Sequence, residues 1–110
     1  MINVYVEKSG GRIRSFSMDG HADFAEHGQD IVCAGASAVS FGSVNAIMSL
    51  TGIEPEIEQS ADGGYFSCVF PDGLPEETDT KVQLLLNGMV ISLQTIERDY
   101  RDFIKITFKK

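Results

Sequence analysis

The chain has 110 residues, 43% of them hydrophobic and 23% charged, with a formal net charge of -7 and a pI of about 4.6. This length suits one domain, 1-110, with its own core, and the composition excludes a disordered, collagen-like or repeat protein. The acidic balance argues against nucleic acid as a direct partner and favours encounter with a basic protein by long-range attraction.

The pattern Ile2, Val4, Val6 alternates with Asn3 and Tyr5, pauses at Ser9-Gly10-Gly11, and resumes from Ile13 to Met18. It predicts a β-hairpin. Residues 19–29 hold three acids, two histidines and two glycines, Gly20 and Gly28, with no apolar period. They read as a loop, glycine-bracketed and able to act as a lid. A long helix is expected from about Asp30 to Leu50, with Asp30 as N-cap and Gly52 as the stop. Ala34, Ala38, Gly42 and Ala46 form a small-residue ridge, expected to face the sheet or a second helix. Ile31 to Gly52 carries no charge and approaches the length of a membrane span. Its serines, Asn45 and acidic flanks give no basic anchor, so a buried helix of a soluble, membrane-free protein is expected.

Glu54–Gln59 and Tyr65–Phe70 flank Asp62-Gly63-Gly64 and predict a second hairpin, with Phe66, Cys68 and Phe70 on one face. Val82, Leu86, Met89, Leu93, Ile96 and Tyr100 follow a helical stripe. Phe103–Phe108 reads as a last strand. The order ββαββαβ gives an α/β (α+β) two-layer sandwich with a mainly antiparallel sheet and two helices. Two cysteines do not make a disulfide framework, and the start lacks a signal peptide's basic and apolar regions, so a cytoplasmic setting is expected.

The chemistry concentrates between Gly20 and Ser37. A cysteine in the first turn of a helix, Cys33, is favoured as thiolate by the helix N-terminus, and a histidine on the preceding polar loop, His21, is placed to take its proton. Asp30 has two readings, a helix cap or a group orienting His21. Ser37, one turn beyond Cys33, is placed either to donate to a substrate carbonyl or the thiolate, or to bond its own backbone. The N–H groups of residues 31–33 are oxyanion-hole candidates. A rival metal site would use His21, His27 and Cys33 with Asp23 or Asp30, but the spacing matches no zinc pattern. His27 reads as an exposed loop residue. No metal or organic cofactor is expected. Cys68, alternating with phenylalanines, reads as an inert core thiol, which leaves a redox sensor built on Cys33 without a resolving partner.

The residues Gly20-His21-Ala22, Gly28, Asp30-Ile31-Val32-Cys33-Ala34 and Ser37-Ala38 resemble the ribosomal-processing cysteine protease family, Prp. The resemblance implies a compact α/β sandwich, usually a homodimer, with His21 and Cys33 as the catalytic pair. It further implies a cysteine endopeptidase that trims a short N-terminal extension from large-subunit ribosomal protein twenty-seven. The alternative from another class is a non-catalytic ribosome-assembly adaptor that grips a basic tail.

Overall fold

The computed structural model describes residues 1–20, 27–61 and 64–110, with side chains in the first helix from residue 31 onward. Its elements are β1 (Ile2–Ser9), β2 (Arg12–Asp19), α1 (His27–Thr51), β3 (Glu56–Gln59), β4 (Tyr65–Val69), α2 (Glu76–Asp99) and β5 (Ile104–Lys109). The expected ββαββαβ order is therefore the observed one. The strands form one sheet in the order β3-β4-β2-β1-β5, antiparallel except for the parallel β1–β5 pair.

Chain direction accounts for the layering. The β2-α1-β3 connection moves along the sheet one way and β4-α2-β5 the other, starting from antiparallel strands. The right-handed crossover rule then puts both helices on the same face. That face is apolar by strand alternation: Ile2, Val4 and Val6 of β1, Phe16 and Met18 of β2, and Phe66 and Cys68 of β4 are all buried in one core cluster. The helices complete the cluster with Val32, Ala36, Val44 and Ile47 from α1 and Val82, Leu86, Met89 and Leu93 from α2. The α2 stripe is thus core packing as expected, but it ends sooner, because Tyr100 is the C-cap and is exposed.

Polar contacts fix α2 to the sheet. A bulge shifts the β1–β2 register between Glu7 and Lys8. There the Gln83 side chain accepts from Ile13 N (2.8 Å) and donates to Ile13 O (2.8 Å). The Arg12 guanidinium forks onto the Asp79 carboxylate, a pairing with the right shape for two parallel hydrogen bonds. At the far edge the Ile106 N–H donates to Glu97 (2.7 Å), which occupies a main-chain donor that would otherwise be open to strand pairing.

Helix α1 departs from expectation in two respects. It starts at His27, three residues before Asp30, so Asp30 is the fourth helical residue and not the N-cap, and His27 and Gly28 are helical and not loop. No proline or other breaker stands between His27 and Asp30 to prevent the extra turn. The ridge of Ala34, Ala38 and Gly42 lies on the exposed side, while the next positions round, Val32, Ala36, Ser40 and Val44, are buried. The branched residues on that side, Val32, Val44 and Ile47, exclude more apolar area from water and carry Ala36 and Ser40 inward with them. Helix α1 is accordingly buried along one face only. Its Ile31–Thr51 stretch is long and apolar enough to cross a membrane by length and composition, with mean hydropathy 1.6, yet its inner face is part of the sandwich core. The expected C-terminal stop holds: Gly52 has φ +74° and its N–H bonds Met48 O at 3.0 Å.

Candidate active site

The sheet ends nearest the start of α1 leave a cleft of about 70 Å³, lined by Cys33, Ser37 and Phe41 of α1, Met18 and Gly20 at the end of β2, Ile2 of β1, and Tyr65 and Phe66 of β4. Residues 33, 37 and 41 reach it because they are spaced one helical turn apart and share a face. Cys33 is half-buried and free, so its sulfur is both fixed and reachable. The expected pairing of Cys33 with Ser37 on one face is what the fold presents.

Gly20 forms the opposite wall. It has φ +90°, and a Cβ built there would stand 2.2 Å from the Met1 carbonyl oxygen. Its N–H donates to Gly64 O at 3.1 Å. Only glycine meets both conditions, a left-handed backbone and a main-chain neighbour inside contact distance. The chain therefore leaves β2 from a pinned point on the cleft wall, and His21 follows by one peptide bond. His21 itself, Asp23 and the rest of 21–26, the middle of the expected 19–29 lid, lie outside the described residues. Gly28 cannot serve as the second hinge of that lid, since it belongs to α1. Gly20→Ala is expected to lower both turnover and thermal stability, the latter by about 1–3 kcal/mol, because Met1 and the start of β1 must move. Thermal unfolding followed beside a cleavage assay checks this; an alanine variant with unchanged stability would contradict the close approach.

The start of α1 at His27 alters the electrostatics expected around Cys33. Cys33 is the seventh helical residue, about 9 Å along the axis at 1.5 Å per residue, while the dipole effect fades within the first turn. In a helix that starts at His27 the amides of 31–33 lie beyond the first turn, where each N–H bonds the carbonyl four residues back, so they are not free to act as the oxyanion donors expected.

Sequence reasoning missed the aromatic and thioether walls. Phe41 and Phe66 meet edge to face at 4.4 Å between centroids, and Phe66 continues to Phe16 at 5.9 Å, which anchors the cleft in the core. Ser40, fully buried, donates to the Met18 sulfur at 3.2 Å and so holds that wall as well. The four-residue repeat Cys33-Ser37-Phe41 was the available signal. Cys68, by contrast, is wholly buried, and desolvation pushes its thiol up to about 12, as expected of an inert core thiol. Among the described residues no group of His, Cys, Asp and Glu is arranged to hold a metal ion.

The family profile described as Cysteine protease Prp matches residues 1–105. The chain belongs to the Prp cysteine protease family. A Bacillus subtilis (strain 168) relative, ribosomal processing cysteine protease Prp, is 53% identical over 108 residues, covering 97% of this chain and 96% of the relative. The fold is similar to that of an essential ribosomal processing protease Prp from S. aureus in complex with a substrate peptide, with TM-score 0.87 and 44% identity over 99% of this chain and 100% of that one. The same S. aureus protease with a covalently linked product peptide gives TM-score 0.86 and 46% identity, again over 99% and 100%. The family thus joins a cleft containing a half-buried cysteine to peptide chemistry.

Proposed function

We propose that this chain is a cytoplasmic cysteine endopeptidase that removes the N-terminal extension of large-subunit ribosomal protein twenty-seven, with Cys33 as nucleophile and His21 as its base and then acid. The observation that carries the reading is a cleft lined by both Cys33 and Gly20, the residue that precedes His21 in the chain. In the reaction His21 takes the Cys33 proton and the thiolate adds to the scissile carbonyl carbon. The tetrahedral adduct collapses to a thioester as His21 returns the proton to the leaving amine. Water, activated by His21, then hydrolyses the thioester and restores the thiol. Ser37, on the same wall as Cys33, is offered as a hydrogen-bond donor to substrate. The free state of both described cysteines fits a reducing compartment.

A homodimer belongs to the same proposal. In a chain of net charge -7, residues 31–53 and 82–96 carry no charge at all, and they supply the outward side of both helices. Leu50, Leu84 and Ile91 are 72%, 72% and 63% exposed there. A second acidic copy meets least repulsion on that uncharged side, and a solution mass of one chain would remove this part of the proposal. The function itself is tested by incubating the purified protein with the extended ribosomal protein and reading the products by mass spectrometry. A single N-terminal cut that a thiol alkylator blocks is expected; an uncut substrate at stoichiometric enzyme would overturn the reading.

A further inference from the structure

The sheet face turned away from the helices holds a second concavity, of about 310 Å³, outside the cleft. Its floor is made of Ser15 and Ser17 of β2 and Ser67 of β4, and taller Tyr5, Tyr65 and Val69 stand on either side. Register brings these residues together: Ser17 lies opposite both Tyr5 and Ser67, and Ser15 lies opposite both Glu7 and Val69. Serine is not a strand-favouring residue, and three of them at the middle of a five-stranded sheet leave a trough along β2 that core packing does not require. Along β4 the lining runs from Tyr65 to Val69, about 13 Å at ~3.3 Å per residue, room for about four residues of extended chain.

The trough and the cleft share one lining residue. Tyr65 lines both, and between them lies the Gly20–Gly64 hydrogen bond, where neither residue raises a side chain. Asp19, which accepts from Asn3 at 3.2 Å, and Glu7 stand along β2, with Glu58 across from Ser67. The lysine that lines the trough, Lys109, has its ammonium 4.4 Å above the Tyr5 ring. The rim along β2 and β3 is therefore acidic, while serine hydroxyls on the floor both donate and accept towards a peptide backbone.

We infer that the open-face trough is a second binding subsite for the protease substrate, taking a basic, extended stretch of the polypeptide that passes over the Gly20–Gly64 saddle from the cleft. This inference rests on the proteolytic reading for the identity of the occupant. Long-range attraction draws the basic segment to the rim, and the bare floor admits its backbone. The subsite makes the enzyme selective for a whole basic protein over a short peptide bearing the same cut, because remote binding contributes to reaction only when both sites are occupied.

The test uses Ser67→Tyr, which fills the trough, and Glu58→Lys, which reverses an exposed rim charge. Each is assayed on the extended ribosomal protein and on a short peptide covering only the cut and its immediate neighbours. Both variants are expected to lower kcat/KM on the protein roughly tenfold and to leave the short peptide within about twofold. An unchanged rate on the protein, or an equal fall on both substrates, overturns the inference. Binding of the ribosomal protein to the Cys33→Ala form, with and without the trough variants, gives the same answer independently of cleavage. If the wild type cuts nothing while that binding still weakens in the trough variants, the subsite stands and the proteolytic reading falls. A change in solution mass with unaltered binding would assign the trough to a second copy of this chain and overturn the inference.

Discussion

Cys33→Ala is expected to lower peptide-bond cleavage by at least about 10⁴-fold with the fold retained, since loss of the nucleophile in a comparable mechanism costs on the order of 10⁶-fold. The site is half-buried, so removing the sulfur leaves little cavity, and alanine is the residue most compatible with a helix. Cys68→Ala is the matched control. Its sulfur is fully buried and desolvation pushes the thiol up to about 12, so it stays protonated at neutral pH. It is expected to cost stability, roughly 1 kcal/mol for the small void, and to keep the turnover. Cleavage rates and thermal unfolding of the two variants check this. A folded Cys68→Ala protein that is inactive, beside an active Cys33→Ala protein, would reverse the assignment.

His21→Ala is expected to lower turnover by about 10³-fold or more, whereas His27→Ala is expected to stay within a few-fold of the wild type. The size follows from the placement of Cys33 in the second turn of α1. The helix terminus lies about 9 Å away along the axis, beyond the first turn over which its dipole acts. In the proposed mechanism His21 both takes the thiol proton and protonates the leaving amine. An ester with a good leaving group needs no such proton, so the His21→Ala defect should be smaller on the ester than on the amide. Chelators should leave the wild type active. Loss of activity with a chelator, restored by zinc, would instead favour the metal reading through His21, His27 and Cys33.

Most of the fold was legible because its signals are periodic. Strand alternation at Ile2-Val4-Val6 and at Phe66-Cys68-Phe70, and the stripe from Val82 to Leu93, each point to one buried face, and all of these residues are in the core. The start of α1 was not legible, since Asp30 is a strong cap by residue type and a helix entering earlier through His27 and Gly28 leaves no hydrophobic mark. The face of the small-residue ridge was misread for a related reason. Small residues permit close approach but do not require it, and the branched residues beside them had the stronger claim on the interior. In the site, Cys33, Ser37 and Gly20 were legible from local pattern and resemblance. Phe41, Met18 and Tyr65 were not, because they meet only through the β2–β4 pairing and the packing of α1 on the sheet, contacts that separate them by tens of residues in sequence.

The central claim is that Cys33 carries the acyl group. The direct measurement is rapid acid quenching of wild-type protein during turnover of the extended ribosomal protein, followed by digestion and mass mapping of any covalently attached peptide. A thioester-linked adduct is expected on the fragment containing Cys33, with none in the Cys33→Ala variant. An adduct on Cys68, or full cleavage activity that survives in Cys33→Ala, would contradict it.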